Sequence, residues 1–143
     1  MISIEVVNLT RYNISKQEIT QTTKKIIKKL RQKKGFPFLK NIDLSIAFID
    51  ETEMKKINKK YRNINKPTDE LSFLLEKSET KLSGEILLCP ATIKTKNYLL
   101  LTTNYSLKFN YLLAHAFLHL CGFDHKTDKE WREMEEIARL VNR

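Results

Sequence analysis

The sequence predicts a single α+β domain over residues 1–143, with a mixed four-stranded sheet and about five helices. Three observations lead to this fold class. The length of 143 residues and the 41% of hydrophobic residues suit one domain with one core. The predicted elements follow in the order strand, helix, strand, helix, two strands and three helices. The chain contains only three Gly and three Pro, and no internal repeat or low-complexity linker divides it.

The first strand and the first helix have clear signals. Residues 2–8 (ISIEVVN) form a short β-branched segment, which favours a strand. Ser15, with Glu18 three residues later, is typical of a capping box at a helix N-terminus. Apolar residues then recur at helical spacing and predict the buried face, which consists of Ile19, Ile26, Ile27 and Leu30. We expect the GFPF stretch at 35–38 to end this helix.

The remaining elements follow from alternation and helical spacing. We predict strands at 42–49, 71–75 and 85–89, and helices at 51–62, 91–102, 105–121 and 128–141. The helix over 51–62 carries Met54, Ile57 and Tyr61 on one side. A polar turn around Pro67 follows it, and a polar loop that ends at Gly84 joins the third and fourth strands.

Charge and cysteine content limit the class of protein. The net charge is +9, and residues 16–40 contain nine basic residues and one acidic residue. Such a segment suits a polyphosphate partner, although a lysine-rich composition alone would also produce it. The two cysteines, Cys89 and Cys121, could form one disulfide, but two buried reduced thiols are the favoured prediction. Neither a signal peptide nor a long apolar run is recognised, so we expect a cytoplasmic protein with no membrane contact.

All three histidines of the chain lie in HAFLHLCGFDH, residues 115–125. His115 and His119 are four residues apart, so they project from the same face of a helix. They border the predicted buried stripe of that helix, which consists of Phe109, Leu112, Leu113, Ala116, Phe117 and Leu120. Gly122 can end the helix in a left-handed conformation, so that His125 turns back toward the pair. The three imidazoles would then hold a metal ion and leave a coordination position open, as catalytic zinc sites do.

Two other interpretations of this cluster stay open. A single histidine on such a helix is usually a hydrogen-bonded core residue, although three at this spacing favour a metal site. The H-x-x-x-H-x-x-G-x-x-H spacing also occurs in metzincin peptidases, but these need a Glu as general base where this chain has Ala116. Cys121 is a poor fourth ligand, because it points to nearly the opposite side of the helix from His119, and we expect it in the core.

A second cluster is YRNINKPTDELSF, residues 61–73. Arg62 could grip a phosphodiester through two N–H groups and stabilise the charge that grows in a transition state. It could equally be a surface arginine at a helix C-terminus, where the helix dipole favours a cation. Thr68 and Asp69 are expected to cap or orient the turn around Pro67.

Together, the two clusters resemble the YbeY family of bacterial endoribonucleases and rRNA maturation factors. That family has the metal motif H-G-x-L-H-L-x-G-Y-D-H, a Y-R … P-T-D-V-L-S-F stretch, and a G-D-I strand that GEI at 84–86 matches here. These blocks keep their order and spacing along nearly the whole chain. The chain departs from the motifs at Ala116 for Gly, Phe123 for Tyr and Glu85 for Asp, and none of these changes removes a predicted ligand.

The resemblance implies a role for each motif residue. It makes His115, His119 and His125 the ligands of one divalent ion, for which zinc is the predicted element. Arg62 becomes the functional arginine near the metal, so that Arg62 and His115 are the predicted catalytic residues. Asp124 is a candidate for supporting the ligands from behind.

The resemblance also implies a substrate and partners. It indicates cleavage of single-stranded RNA, processing near the 3′ end of small-subunit rRNA, and a link to ribosome quality control. Lys59 and Lys66, which flank Arg62, are further candidates for binding this RNA. The small ribosomal subunit and its assembly factors are the expected partners.

The sequence does not decide between two reaction types, and it allows two alternative functions. Either an activated water or the 2′-hydroxyl of the RNA could attack the phosphate, so hydrolysis and transesterification both stay open. The main alternative function is a ribosome-assembly protein that binds RNA without cleaving it and holds a structural metal. A metzincin-like peptidase is a further, less favoured alternative.

Overall fold

The computed structural model describes residues 1–95, 105–123 and 127–141. Its strands are β1 (Ile2–Asn8), β2 (Asn41–Phe48), β3 (Glu70–Lys77) and β4 (Lys81–Leu88). They form one sheet in the order β1-β2-β4-β3. The pairs β1/β2 and β2/β4 are parallel, whereas β3 runs antiparallel to β4 at the sheet edge. The mixed four-stranded sheet predicted from the sequence is therefore confirmed.

Five α-helices and one short 3₁₀ helix, Pro37–Lys40, occur in the described ranges. The α-helices are α1 (Lys16–Arg31), α2 (Glu51–Arg62), α3 (Pro90–Thr95), α4 (Tyr105–Leu120) and α5 (Asp128–Val141). Their number and order agree with the predicted α+β domain. The helix predicted at 91–102 coincides with α3 in its first part, and its residues 96–102 lie outside the described residues. None of the described helices combines the length and the apolar character that crossing a bilayer requires.

Side-chain caps explain where α1 and α2 begin. The Ser15 hydroxyl accepts a hydrogen bond from the Glu18 amide at 3.2 Å, as the capping-box pattern indicated. Asp50 caps α2 in the same way, because its carboxylate accepts from the Glu53 amide at 2.8 Å. The apolar stripe of α1 is buried as predicted, and it consists of Ile19, Ile26, Ile27 and Leu30.

The helix α2 ends within the second sequence cluster, residues 61–73. Asn63 follows it with a left-handed backbone (φ 58°), and its amide donates to the carbonyls of Asn58 and Lys59. Met54 is buried, whereas Tyr61 on the same side is 60% exposed and packs edge-on against Phe73 of β3. The predicted apolar side of α2 therefore runs from the core to the surface at its C-terminal end.

The β3–β4 hairpin differs from the prediction. A polar loop was expected from the end of 71–75 to Gly84, but β3 continues to Lys77 and β4 begins at Lys81. The turn is tight, since the Ser78 amide donates to the Lys81 carbonyl at 2.9 Å. Residues 76–80 are exposed, so the end of β3 pairs through its backbone without the apolar alternation that would have marked it in the sequence.

The sheet separates two apolar clusters. In β4, Ile86 and Leu88 belong to the larger cluster and Leu87 to the smaller one, so the two clusters lie on opposite faces. The larger cluster also contains buried residues of α1, α4 and α5. The smaller cluster lies under α2 and consists of Ile49, Met54, Leu71, Leu87 and Cys89. The helix α4 is consequently held between the sheet and two other helices, which makes it a rigid support for side chains at its border.

At Gly84 the side chain of Leu120 from α4 packs directly against the sheet backbone. A Cβ atom at this position would lie 2.9 Å from Cδ1 of Leu120 and 3.1 Å from the Phe73 carbonyl oxygen. We therefore predict that Gly84→Ala lowers the free energy of unfolding by about 1–3 kcal/mol, since overpacking displaces neighbours that are already in contact.

Urea denaturation of Gly84→Ala beside Ser83→Ala measures this effect. Ser83 is the neighbour of Gly84 on β4 and points to the other face of the sheet, so its replacement should leave stability nearly unchanged. Equal stability of the two variants would show that Leu120 has room for the additional methyl group.

Candidate metal centre

The helix α4 places His115 and His119 at the border of the core. Its described apolar residues are buried as predicted: Leu112, Leu113, Ala116, Phe117 and Leu120. Both histidines are half-buried, and their ring centroids are 4.7 Å apart at an interplanar angle of 83°. The side chain of Phe109, the remaining residue of the predicted stripe, lies outside the described part. The sequence thus predicted correctly that the two imidazoles adjoin each other on one face of a helix.

The turn after α4 sets the orientation of the His119 ring. Gly122 adopts φ +105° and ends the helix, and the Phe123 amide then donates to the Leu118 carbonyl at 3.1 Å. Nδ1 of His119 lies 2.9 Å from the Phe123 carbonyl oxygen. A carbonyl oxygen only accepts, so Nδ1 carries the proton and Nε2 keeps its lone pair. Nε2 is then the nitrogen of His119 that could serve as a metal ligand.

Aromatic packing fixes the surroundings of both histidines. The ring of Phe123 stacks on Phe36, with centroids 5.9 Å apart, so the GFPF stretch supports the turn after α4. The ring of Tyr111 stacks on His115 at 6.4 Å. The Tyr111 hydroxyl donates to Glu135 of α5 at 2.8 Å, and burial together with this carboxylate raises the pKa of Tyr111 to about 12.

Glu70, which the sequence analysis missed, belongs to the same cluster. One carboxylate oxygen of Glu70 and one nitrogen from each of His115 and His119 all lie within 4.8 Å of one another. Glu70 begins β3, and its Oε1 lies 3.8 Å from Nδ1 of His115. The sequence did contain a signal, because the YbeY stretch quoted above has Val at this position. That β3 packs against α4, and so brings Glu70 close to His115, could not be predicted from the sequence.

These three residues could hold a divalent metal ion. Zinc with nitrogen and oxygen ligands at about 2.0–2.2 Å spaces its ligand atoms roughly 3–4 Å apart, and the cluster requires only small side-chain adjustments to reach that spacing. The donor types also fit, since imidazole and carboxylate are both zinc ligands. The hydrogen bond behind His119 is the type of support that metal-ligating histidines usually have.

The other members of the predicted motif have different outcomes. His125 and Asp124 lie outside the described residues, so their roles remain predictions. Cys121 is buried as expected, and burial raises the pKa of its thiol to about 12, although nearby Lys77 partly opposes the shift. Both cysteines are free thiols. Ala116, at the general-base position of metzincins, is fully buried in the core.

The structure places Arg62, Lys59 and Lys66 on the exposed surface at the end of α2 and in the loop after it. Their side chains form no hydrogen bond or ion pair within the described ranges, and no contact described there joins them to the histidines. The loop itself is anchored, because Asn58 donates to the Lys66 carbonyl at 2.8 Å. Asp69, which is buried, follows this anchor and precedes Glu70.

The expected role of Thr68 and Asp69 in the turn agrees with the contacts. The Thr68 hydroxyl donates to the Asp69 carboxylate at 3.4 Å, and the Asp69 carbonyl accepts from the Cys89 amide at 2.9 Å. These bonds fix the loop that connects the C-terminal end of α2 to the first residue of β3. Arg62 and Glu70 are thus the two ends of one anchored loop.

Comparison with known proteins identifies the family. The family model described as "Endoribonuclease YbeY" matches residues 5–142. The chain belongs to the YbeY family. The chain is 40% identical over 134 residues to Endoribonuclease YbeY of Buchnera aphidicola subsp. Schizaphis graminum, covering 90% of this chain and 78% of that protein. It is 36% identical over 117 residues to Endoribonuclease YbeY of Lactobacillus helveticus, covering 71% of this chain and 66% of the relative.

A solved structure supports the fold of this YbeY-family chain. The solution structure of TM1509 from Thermotoga maritima matches with a TM-score of 0.64, covering 97% of this chain and 86% of that one. The sequence identity of 24% means that this likeness speaks for the fold alone. The family predicted from the two sequence motifs is confirmed by the family model and the relatives.

Proposed function

We propose that this chain is a metal-dependent endoribonuclease that cleaves single-stranded RNA. The observation that carries the proposal is the pair of adjoining imidazoles on α4, His115 and His119, in a member of an endoribonuclease family. The hydrogen bond from Nδ1 of His119 to the Phe123 carbonyl supports it, because metal-ligating histidines usually have such a bond behind the ring.

The ion is proposed to be zinc, held by His115, His119 and His125. Three protein ligands leave a position for water or substrate, which is the arrangement of catalytic rather than structural zinc sites. When bound, such an ion polarises a phosphoryl oxygen and lowers the pKa of water to about 7. His115 and His119 contribute by holding their rings in fixed orientations on a buried helix. Asp124 is proposed to support the ligands from behind.

Arg62 is proposed to hold the scissile phosphate and to offset the negative charge that develops there. Its guanidinium is exposed at the end of α2 and has no partner among the described residues, so it is available for a ligand. Lys59 and Lys66 are exposed nearby and are proposed to contact flanking phosphates. The basic face of α1, which includes Lys24, Lys25, Lys28 and Lys29, adds a general attraction for RNA.

The proposed biological setting follows the family. The substrate is small-subunit rRNA near its 3′ end, the process is rRNA maturation and ribosome quality control, and the location is the cytoplasm. The small subunit and its assembly factors are the proposed partners.

The alternative functions lead to different results. An RNA-binding assembly protein with a structural metal would bind RNA and never cleave it. A metzincin-like peptidase would need a base beside the first ligand, and the buried methyl group of Ala116 provides none.

The direct test uses the purified full chain and a fluorescent single-stranded RNA, with its duplex form as a matched substrate. We expect cleavage of the single strand, its loss after treatment with a chelator, and its return when zinc is restored. The same assay on casein measures the peptidase alternative. RNA binding without cleavage in zinc would contradict the proposed enzyme and favour the assembly protein.

A further inference from the structure

Glu70 is a carboxylate placed where an isolated charge is unfavourable. Its side chain is only 17% exposed, and its Oε2 is buried with no hydrogen-bond partner among the described residues. Burial of a charged group is costly unless a donor or a cation lies close to it. The partner that the structure offers is His115, whose Nδ1 lies 3.8 Å from Oε1 of Glu70.

Glu70 faces Nδ1 of His115, and this determines whether the carboxylate can support the ring while Nε2 binds an ion. Nδ1 and Nε2 of an imidazole point away from each other, so a group beside Nδ1 lies on the far side of the ring from an ion on Nε2. His119 uses Nδ1 for the Phe123 carbonyl, so Nε2 is the nitrogen through which it would bind the proposed ion. His115 lies one turn earlier on the same helix, so its ring can share an ion with His119 through the same nitrogen. In this arrangement Glu70 supports His115 from behind, instead of serving as the third ligand that the spacing of the three groups would also allow.

We propose that Glu70 is a positioning residue of the metal centre: its carboxylate accepts the Nδ1–H of His115 and thereby directs Nε2 of that ring toward the ion. This inference rests on the metal site of the proposed function. Glu70 of β3 would accept the Nδ1–H of His115, just as the Phe123 carbonyl accepts the Nδ1–H of His119. Both described imidazoles then have a fixed tautomer, and the carboxylate also strengthens His115 as a ligand.

The test compares the zinc affinity of the full chain with those of Glu70→Val and Glu70→Gln, by competition with a chromophoric chelator. Val is the residue of the family stretch at this place and suits the start of a strand, so Glu70→Val is expected to fold. We expect Glu70→Val to weaken zinc binding by about 10–100-fold. Glu70→Gln should recover a large part of this loss, because its amide oxygen can accept the same hydrogen bond.

A second readout separates a positioning residue from a ligand. With cobalt in place of zinc, the visible bands report which atoms surround the ion, and we expect their positions to be unchanged in both variants. Glu76→Gln is the matched control, since Glu76 lies on the same strand and is paired with Lys81 at the surface. It should bind zinc as the unmodified chain does.

The outcomes separate the two proposals. Zinc affinity unchanged in Glu70→Val would overturn the role of Glu70, and shifted cobalt bands would make Glu70 a ligand instead of a support. His119→Ala serves as the reference for the site itself. If this variant bound zinc as tightly as the unmodified chain, the metal site and with it the proposed function would fail, whatever Glu70 does.

Discussion

Replacement of His119 by Ala is expected to abolish RNA cleavage and to weaken zinc binding by more than about 100-fold. Loss of a group that only supports a ligand usually costs 10–100-fold, and the loss of a ligand should exceed this range. The helix should persist, because the ring is only half-buried and Ala is the best helix former. Zinc content after dialysis, cleavage rate and thermal unfolding together measure the prediction.

A control variant makes this result specific. Glu133→Ala introduces the same small residue at a half-buried position of α5 and should retain both metal and activity. Zinc bound in equal amount by His119→Ala would contradict the assignment of this ligand. An unmodified chain that binds RNA and zinc but cleaves nothing would instead support the assembly-protein alternative.

Arg62→Ala is expected to reduce the cleavage rate by about 10²–10³-fold while leaving the zinc content unchanged. This is the usual loss when one group that stabilises transition-state charge is removed. The side chain is exposed and has no partner within the described ranges, so stability should change little. Single-turnover cleavage of the fluorescent RNA, with metal analysis of the same sample, tests both parts.

Two further variants define the role of the guanidinium. Arg62→Lys keeps the charge but loses the two-pronged hydrogen bonding, so it should recover only part of the rate. Lys55→Ala removes a positive charge from an exposed position earlier on α2 and should have little effect on the rate. A loss of zinc in Arg62→Ala would show that the arginine supports the metal site rather than the phosphate.

Local patterns predicted much of the fold and one part of the candidate site. The boundaries of α2 and the capping of α1 by Ser15 follow from signals within a few residues. The adjoining rings of His115 and His119 follow from helical periodicity alone. In each case the physical cause is contained in the segment itself.

Features that depend on pairing across the chain could not be predicted. The length of the β3–β4 hairpin was wrong, because the polar residues Glu76 and Lys77 extend β3 along the exposed sheet edge by pairing through their backbones with β4. Glu70 was missed because its proximity to His115 depends on how β3 packs against α4. The distance from Arg62 to the histidines has the same dependence, so its role near the metal remains a proposal.

Phe123 contacts both the candidate metal centre and a distant connection of the chain. Its carbonyl orients His119, and its ring stacks on Phe36, which lies in the connection between α1 and β2. A shift of Phe36 would therefore displace Phe123, and Phe123 would in turn change the orientation of the His119 ring. The connection before β2 is consequently coupled mechanically to the proposed metal site, and substitutions of Phe36 are expected to alter the zinc affinity of that site.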